Sequence, residues 1–118
     1  MSQQFTSILT ITIPATATVS ANRFLGIGGA LCAADATAIG VTRIGGVSGD
    51  KLPVDVLGTA VVESGAAVTA GVAVKSDSTG RAIAWVTSGN RCGIALDAAT
   101  AAGQFIEVLL LTNPGYTT

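Results

Sequence analysis

The chain has 118 residues, 49% of them apolar and only 11% charged, against roughly 25% charged in an ordinary soluble domain. Six Lys+Arg against seven Asp+Glu leave a formal net charge of −1, which lacks the basic excess of a nucleic-acid binder and is the reverse of a disordered chain's composition. There is no histidine, so histidine catalysis and histidine metal ligation are excluded.

Met1–Asn22 carries no charged side chain. It has no basic n-region, and Thr10, Thr12, Pro14, Thr16, Thr18 and Ser20 interrupt its apolar residues, so neither a secretory signal nor a membrane span is expected and synthesis in a cytosol is. Within it, Ile8-Leu9-Thr10-Ile11-Thr12-Ile13 alternates with period two, which predicts a strand over 7–13. Further strands are predicted over Arg23–Leu31, Ala38–Thr42, Val54–Val62, Val72–Lys75, Ala82–Val86, Cys92–Leu96 and Phe105–Leu111. Gly45–Asp50, Asp77–Gly80 and Ser88–Asn90 supply turn chemistry between them. Asp97–Ala102 is Ala-rich and closed by Gly103, enough for one helical turn at most.

About eight short strands at a spacing of about ten residues predict an all-β fold, a compact β-sandwich or small barrel. An internal repeat is also visible, with segments about 50 residues apart. Val19-Ser20-Ala21-Asn22 matches Val68-Thr69-Ala70-Gly71, Ile39-Gly40-Val41 matches Cys92-Gly93-Ile94, and Val54-Asp55-Val56-Leu57 matches Ile106-Glu107-Val108-Leu109. The expected organisation is an extended N-terminal arm or edge strand over 1–20 and one β domain over 21–118, built from two similar halves (21–57 and 68–111).

No motif carries chemistry. Ser48-Gly49-Asp50-Lys51 fits Ser-x-x-Lys, but acyl transfer needs that pattern on a helix, and here it lies in a Gly-rich loop. Asp77-Ser78-Thr79-Gly80 has one residue too many for the Asp-[Ser/Thr]-Gly loop of dimeric aspartic proteases, and reads as a hairpin tip. Gly26-Ile27-Gly28-Gly29 lacks the following lysine or helix of a phosphate cradle. Cys32 and Cys92 have no metal-binding spacing and sit among apolar residues, as small buried hydrophobes do. No catalytic, metal-binding or cofactor-binding residue is assigned, and an enzyme is not expected. Asp55 and Glu107 stand in matching places of the two halves, either on a solvated face or paired with arginines.

A small domain with so few charges is easier to understand if copies of itself or a larger partner cover it. The candidate interface residues are Phe5, Ile8, Ile11 and Ile13 of the strand-like arm, with Trp85 and Tyr116. The arm is expected to add a strand to a sheet edge of a neighbour, so deletion of residues 2–18 should weaken docking and leave the fold intact.

Three motifs then stand in order: Val-Lys-Ser-Asp-x-x-Gly-Arg-Ala over Val74–Ala82, Gly-Ile-Ala-Leu-Asp-x-Ala over Gly93–Ala99, and Gly-Gln-x-Ile-x-Val-Leu-Leu over Gly103–Leu110. A weaker copy lies in Ala21–Leu25 and Ile39–Val41. Together they resemble the capsid cement, or decoration, proteins of tailed bacteriophages. The resemblance implies a structural virion protein on the outer surface of the head. It would bind the major capsid protein after the shell expands and clamp neighbouring subunits. A homotrimer is the favoured arrangement and a dimer the alternative, with no nucleic acid, membrane or cofactor involved. The competing reading is another phage or surface-binding β domain: a head fibre base, a tail component or a glycan-binding adhesin.

Overall fold

The computed structural model describes residues 6–110. They form eight strands and no helix: β1 (Ser7–Pro14), β2 (Phe24–Leu25), β3 (Gly40–Thr42), β4 (Lys51–Glu63), β5 (Ala73–Ser76), β6 (Ala82–Ala84), β7 (Gly93–Ala95) and β8 (Phe105–Leu110). Each predicted strand has a counterpart, mostly trimmed at its ends, because glycine-rich connections extend into the predicted runs. The Ala-rich segment 97–102 is not a helical turn. Ala99 exchanges both backbone hydrogen bonds with Val68 at 2.8 Å, so tertiary pairing overrides the helix preference of alanine.

The strand order is β2-β3-β4-β8-β7-β5-β6, antiparallel throughout, with β1 pairing β4 off that path. The two ends of this path approach each other: Phe24 N donates to Gly80 O at 2.7 Å, and Ser64 bridges Ala82. The result is a nearly closed barrel-like sheet.

β4 holds it together. Its first part takes β1 on one side, with Ile13 opposite Leu52 and Ile11 opposite Val54, and β3 on the other, with Val41 opposite Asp55. Its second part pairs β8, with Val62 opposite Ile106. Gly58 marks the change of partner. It has φ +100°, and a methyl group there would overlap the Thr6 carbonyl oxygen, so a side chain is excluded by both backbone conformation and space.

The core follows this division. One buried cluster gathers Ile13, Ala15, Val19, Leu25, Leu52 and Val54. A larger one contains Phe24, Val41, Val62, Val74, Ile106 and Val108, together with Cys32 and Cys92. Residues 7–14 are thus not a free arm. They pair with β4 of the same chain, and Ile13 and Ala15 lie in its core. Deleting 2–18 would remove both, so the fold is not expected to survive that deletion, contrary to the sequence-based expectation.

The two halves share a pairing scheme. Phe24 and Leu25 lie opposite Val41 and Gly40, and Ala73 and Val74 lie opposite Ile94 and Gly93. A methyl on Gly40 would overlap the Asp55 carbonyl oxygen, and one on Gly93 that of Leu109. Each glycine lets a neighbouring backbone come close. By this ladder Asp55 corresponds to Leu109, because Val41 faces Asp55 and Ile94 faces Leu109. Aligning Asp55 with Glu107 is therefore out of register by one pleat repeat, a slip that a period-two pattern does not penalise.

Candidate docking surface

Charged side chains here serve mainly each other. Arg23 binds Glu63 at 3.0 Å, and Arg81 reaches Glu63 at 3.9 Å and Asp77 at 3.1 Å. Arg23 also donates to Thr79 O at 3.0 Å. This chain of ions ties the start of β2 to the β5–β6 turn, across the gap between the ends of the strand path. Lys75 binds Asp35 at 2.7 Å.

Asp55, 2% exposed, accepts from Arg43 Nε and Thr10 Oγ1, both at 2.8 Å. Of the two readings of this residue, pairing with arginine is the one realised. Glu107 is also buried, at 5% exposure, which overturns a solvated face for it. At the β5–β6 turn, burial alone would raise the Asp77 carboxyl. Hydrogen bonds from the backbone and side chains of Arg81 and Thr79 outweigh that and hold it below the ordinary carboxylate range.

Exposed apolar side chains occur singly at Val86 after β6 and at Phe105 and Leu109 on β8, and as a group of three on one set of loops. Segment 15–19 is flanked on one side by the β2 hairpin tip, where Thr16 N donates to Gly29 O at 3.0 Å. On the other side is the β3–β4 loop, where Val19 and Gly46 exchange hydrogen bonds at 2.8 and 2.9 Å. These two loops carry Ile27 (72% exposed), Ile44 (54%) and Val47 (57%). The corresponding connections of the second half are Asp77–Gly80 and the stretch 96–104. There the tip is organised by the Asp77 carboxylate, and Thr100 and Gln104 bond each other twice at 2.8 Å.

β1 adds a second exposed element. Its edge away from β4 pairs with no strand among the described residues. It is uncharged, carries Ile8 (76% exposed) and Leu9 (46%), and presents the unpaired backbone groups that invite another strand.

The residues singled out from sequence are not gathered in one patch. Ile8 is exposed on β1, Ile11 packs against the smaller core cluster, and Ile13 belongs to that cluster. Trp85 follows β6, at the far end of the strand order. Its Nε1 donates to Gly89 O at 2.8 Å and Arg91 covers one face of its ring at 4.1 Å. Phe5 and Tyr116 lie outside the described residues. Ile27, Ile44 and Val47 were missed because single apolar residues inside glycine-rich stretches read as punctuation. Comparing the loops of the two halves is the signal that finds them.

A cleft of about 240 Å³ between β3 and β4 is lined by Asn22, Val41, Thr42, Arg43, Asp55, Ala60 and Val61. Its polar groups are engaged within the fold: Asn22 Nδ2 donates to Val61 O, Thr42 Oγ1 donates to Ser20 O, and Asp55 holds Arg43. Among the described residues no three His, Cys, Asp or Glu side chains are grouped to hold a metal ion.

Comparison with known proteins adds to this geometry. The solved head fiber gp8.5 N base of bacteriophage phi29 has the same fold, with a TM-score of 0.72 over 88% of this chain and 94% of that one, at 20% identity. No curated protein matches. The family model described as phage cement protein matches residues 3–110, which is nearly the whole barrel and both sets of loops. The all-strand architecture, the internally neutralised charge and this match agree, and the chain belongs to the phage cement protein family, structural proteins associated with the phage capsid.

Proposed function

We propose that the protein decorates the outside of an expanded, DNA-filled head and clamps neighbouring major capsid subunits, using the loop end that carries Ile27, Ile44 and Val47 together with the free edge of β1. The observation that carries this reading is the division of the surface. Four of the six cationic side chains sit in intramolecular ion pairs and Arg91 lies over Trp85, while one set of loops exposes the aliphatic side chains Ile27, Ile44 and Val47. Such a surface docks by burying apolar area and adding backbone hydrogen bonds. A trimer is the favoured oligomer, because each copy then contributes to several contacts and later contacts become effectively intramolecular. Among the described residues no convergent acid, base and nucleophile favours an enzyme.

The test is binding of the purified chain to expanded capsids stripped of it. Saturable binding near one copy per major capsid subunit, with a dissociation constant that changes less than about threefold between 50 mM and 500 mM salt, is expected of a contact made mainly by apolar burial and backbone pairing. No saturable binding, or a steep loss with salt, contradicts the reading. A second reading, a base that mounts another protein on the head, is favoured by the likeness to the head fiber N base. Counting copies per virion by mass spectrometry separates the two: a ratio near one to the capsid protein supports decoration, and a handful supports a mount.

A further inference from the structure

We propose that Cys32 and Cys92 form a latent disulfide: reduced when the chain folds, and closed into a bond joining the two halves of the barrel when a hydroperoxide oxidant reaches the core. Both are free thiols in the larger core cluster. Their Sγ atoms donate to the same acceptor, the carbonyl oxygen of Ala36, at 3.5 and 3.8 Å, so the two sulfurs are neighbours. The segments that carry them also meet through backbone, with Asn90 N donating to Asp35 O at 3.0 Å. Cys32 lies in the irregular stretch after Leu31 and Cys92 just before β7. Their backbone N–H groups are anchored on neighbouring strands, Cys32 on Phe24 O at 2.9 Å and Cys92 on Val74 O at 2.8 Å, so closure is by rotation of the two side chains about their Cα–Cβ bonds.

Burial raises the Cys32 thiol, and burial with the neighbouring Cys32 charge pushes Cys92 up to about 11. Both are therefore protonated at neutral pH, and the pair resists casual oxidation. In the proposed step one cysteine, as thiolate, attacks an oxygen of hydrogen peroxide. The O–O bond breaks, leaving a sulfenic acid and hydroxide, which takes up the released proton as water. The second thiol then attacks the sulfenic sulfur, the S–S bond forms, and the S–OH oxygen departs as a second water. Two thiols are oxidised and one peroxide is reduced to two waters. A peroxide is small enough to enter where a bulkier disulfide reagent is not. The bond would link the connection after β2 to the start of β7, stiffening the barrel against opening.

The test uses the intact wild-type chain and does not depend on how it docks. The protein is treated with hydrogen peroxide, denatured, alkylated and weighed. The expected result is loss of two hydrogens with no alkylation, a Cys32–Cys92 cross-linked peptide, faster reaction as pH rises, and a melting temperature several degrees higher that reductant reverses. A control with Cys32→Ser should gain oxygen at Cys92 or stay reduced, and never form an intramolecular bond. Two alkylated cysteines after prolonged treatment, or sulfinic acid on one wild-type cysteine beside an intact thiol, would overturn the proposal.

Discussion

The two halves of the barrel place the same pairs of strands in the same register, yet they face solvent differently. In the second half the hairpin tip is a knot of polar groups around Asp77, and Thr100 and Gln104 bond each other in the long connection. In the first half the matching loops carry Ile27, Ile44 and Val47. Packing does not require this: Ala99 of the second set enters the larger core cluster, whereas Ile27, Ile44 and Val47 lie outside both clusters. One loop set is held by polar side-chain bonds, and the other is the one proposed to meet a partner.

The largest effects test whether the halves are equivalent where they should be. Gly40→Ala and Gly93→Ala should each cost about 3 kcal/mol, as overpacking against backbone does, and by similar amounts, measured by denaturant unfolding. A large disparity would break the correspondence of β3 with β7. Replacing Ile27, Ile44 and Val47 together by serine should lower affinity for capsids about 100-fold, from lost apolar burial of roughly 1 kcal/mol per side chain. Stability should stay within about 0.5 kcal/mol, as at exposed sites. Ser78→Ala with Thr100→Ala in the other half should leave binding unchanged. If both sets weaken binding alike, the proposed asymmetry of function is wrong.

The ion network that closes the barrel gives a smaller effect. Glu63→Gln should cost about 2 kcal/mol, the range of hydrogen bonds to charged groups, because Glu63 accepts from Arg23 at two nitrogens and faces Arg81. Asp77→Asn is the mildest and shows itself in acid. The folded state holds this carboxyl below its ordinary value. Its contribution is thus complete at neutral pH and is lost as pH falls from about 4 through the folded value. The wild type should lose stability across that window, and the variant should show a shallower loss.

Much of the architecture was legible because alternating β-branched residues and glycine-rich turns encode strands locally. Ser7–Pro14 reads as a strand for that reason. Which edge it joins is not local information, and the pattern gives no hint that Leu52 and Val54 of the same chain lie opposite Ile13 and Ile11. The same limit explains Ile13, an interface candidate by composition and a core residue by pairing. The two acids Asp55 and Glu107 were visible as oddities inside apolar strands, but the correct correspondence needed the ladder, since a slip of one pleat repeat preserves every inward and outward position. The loops proposed to dock stand out only by comparison between halves.

The most direct measurement of that asymmetry is hydroxyl-radical footprinting of the protein free and bound to expanded capsids. Protection is predicted at Ile27, Ile44, Val47 and Ile8, with Ser78, Thr79 and Thr100 as reactive as in the free chain. Protection of the Asp77–Gly80 tip and residues 96–104, with Ile27, Ile44 and Val47 unchanged, would contradict the account.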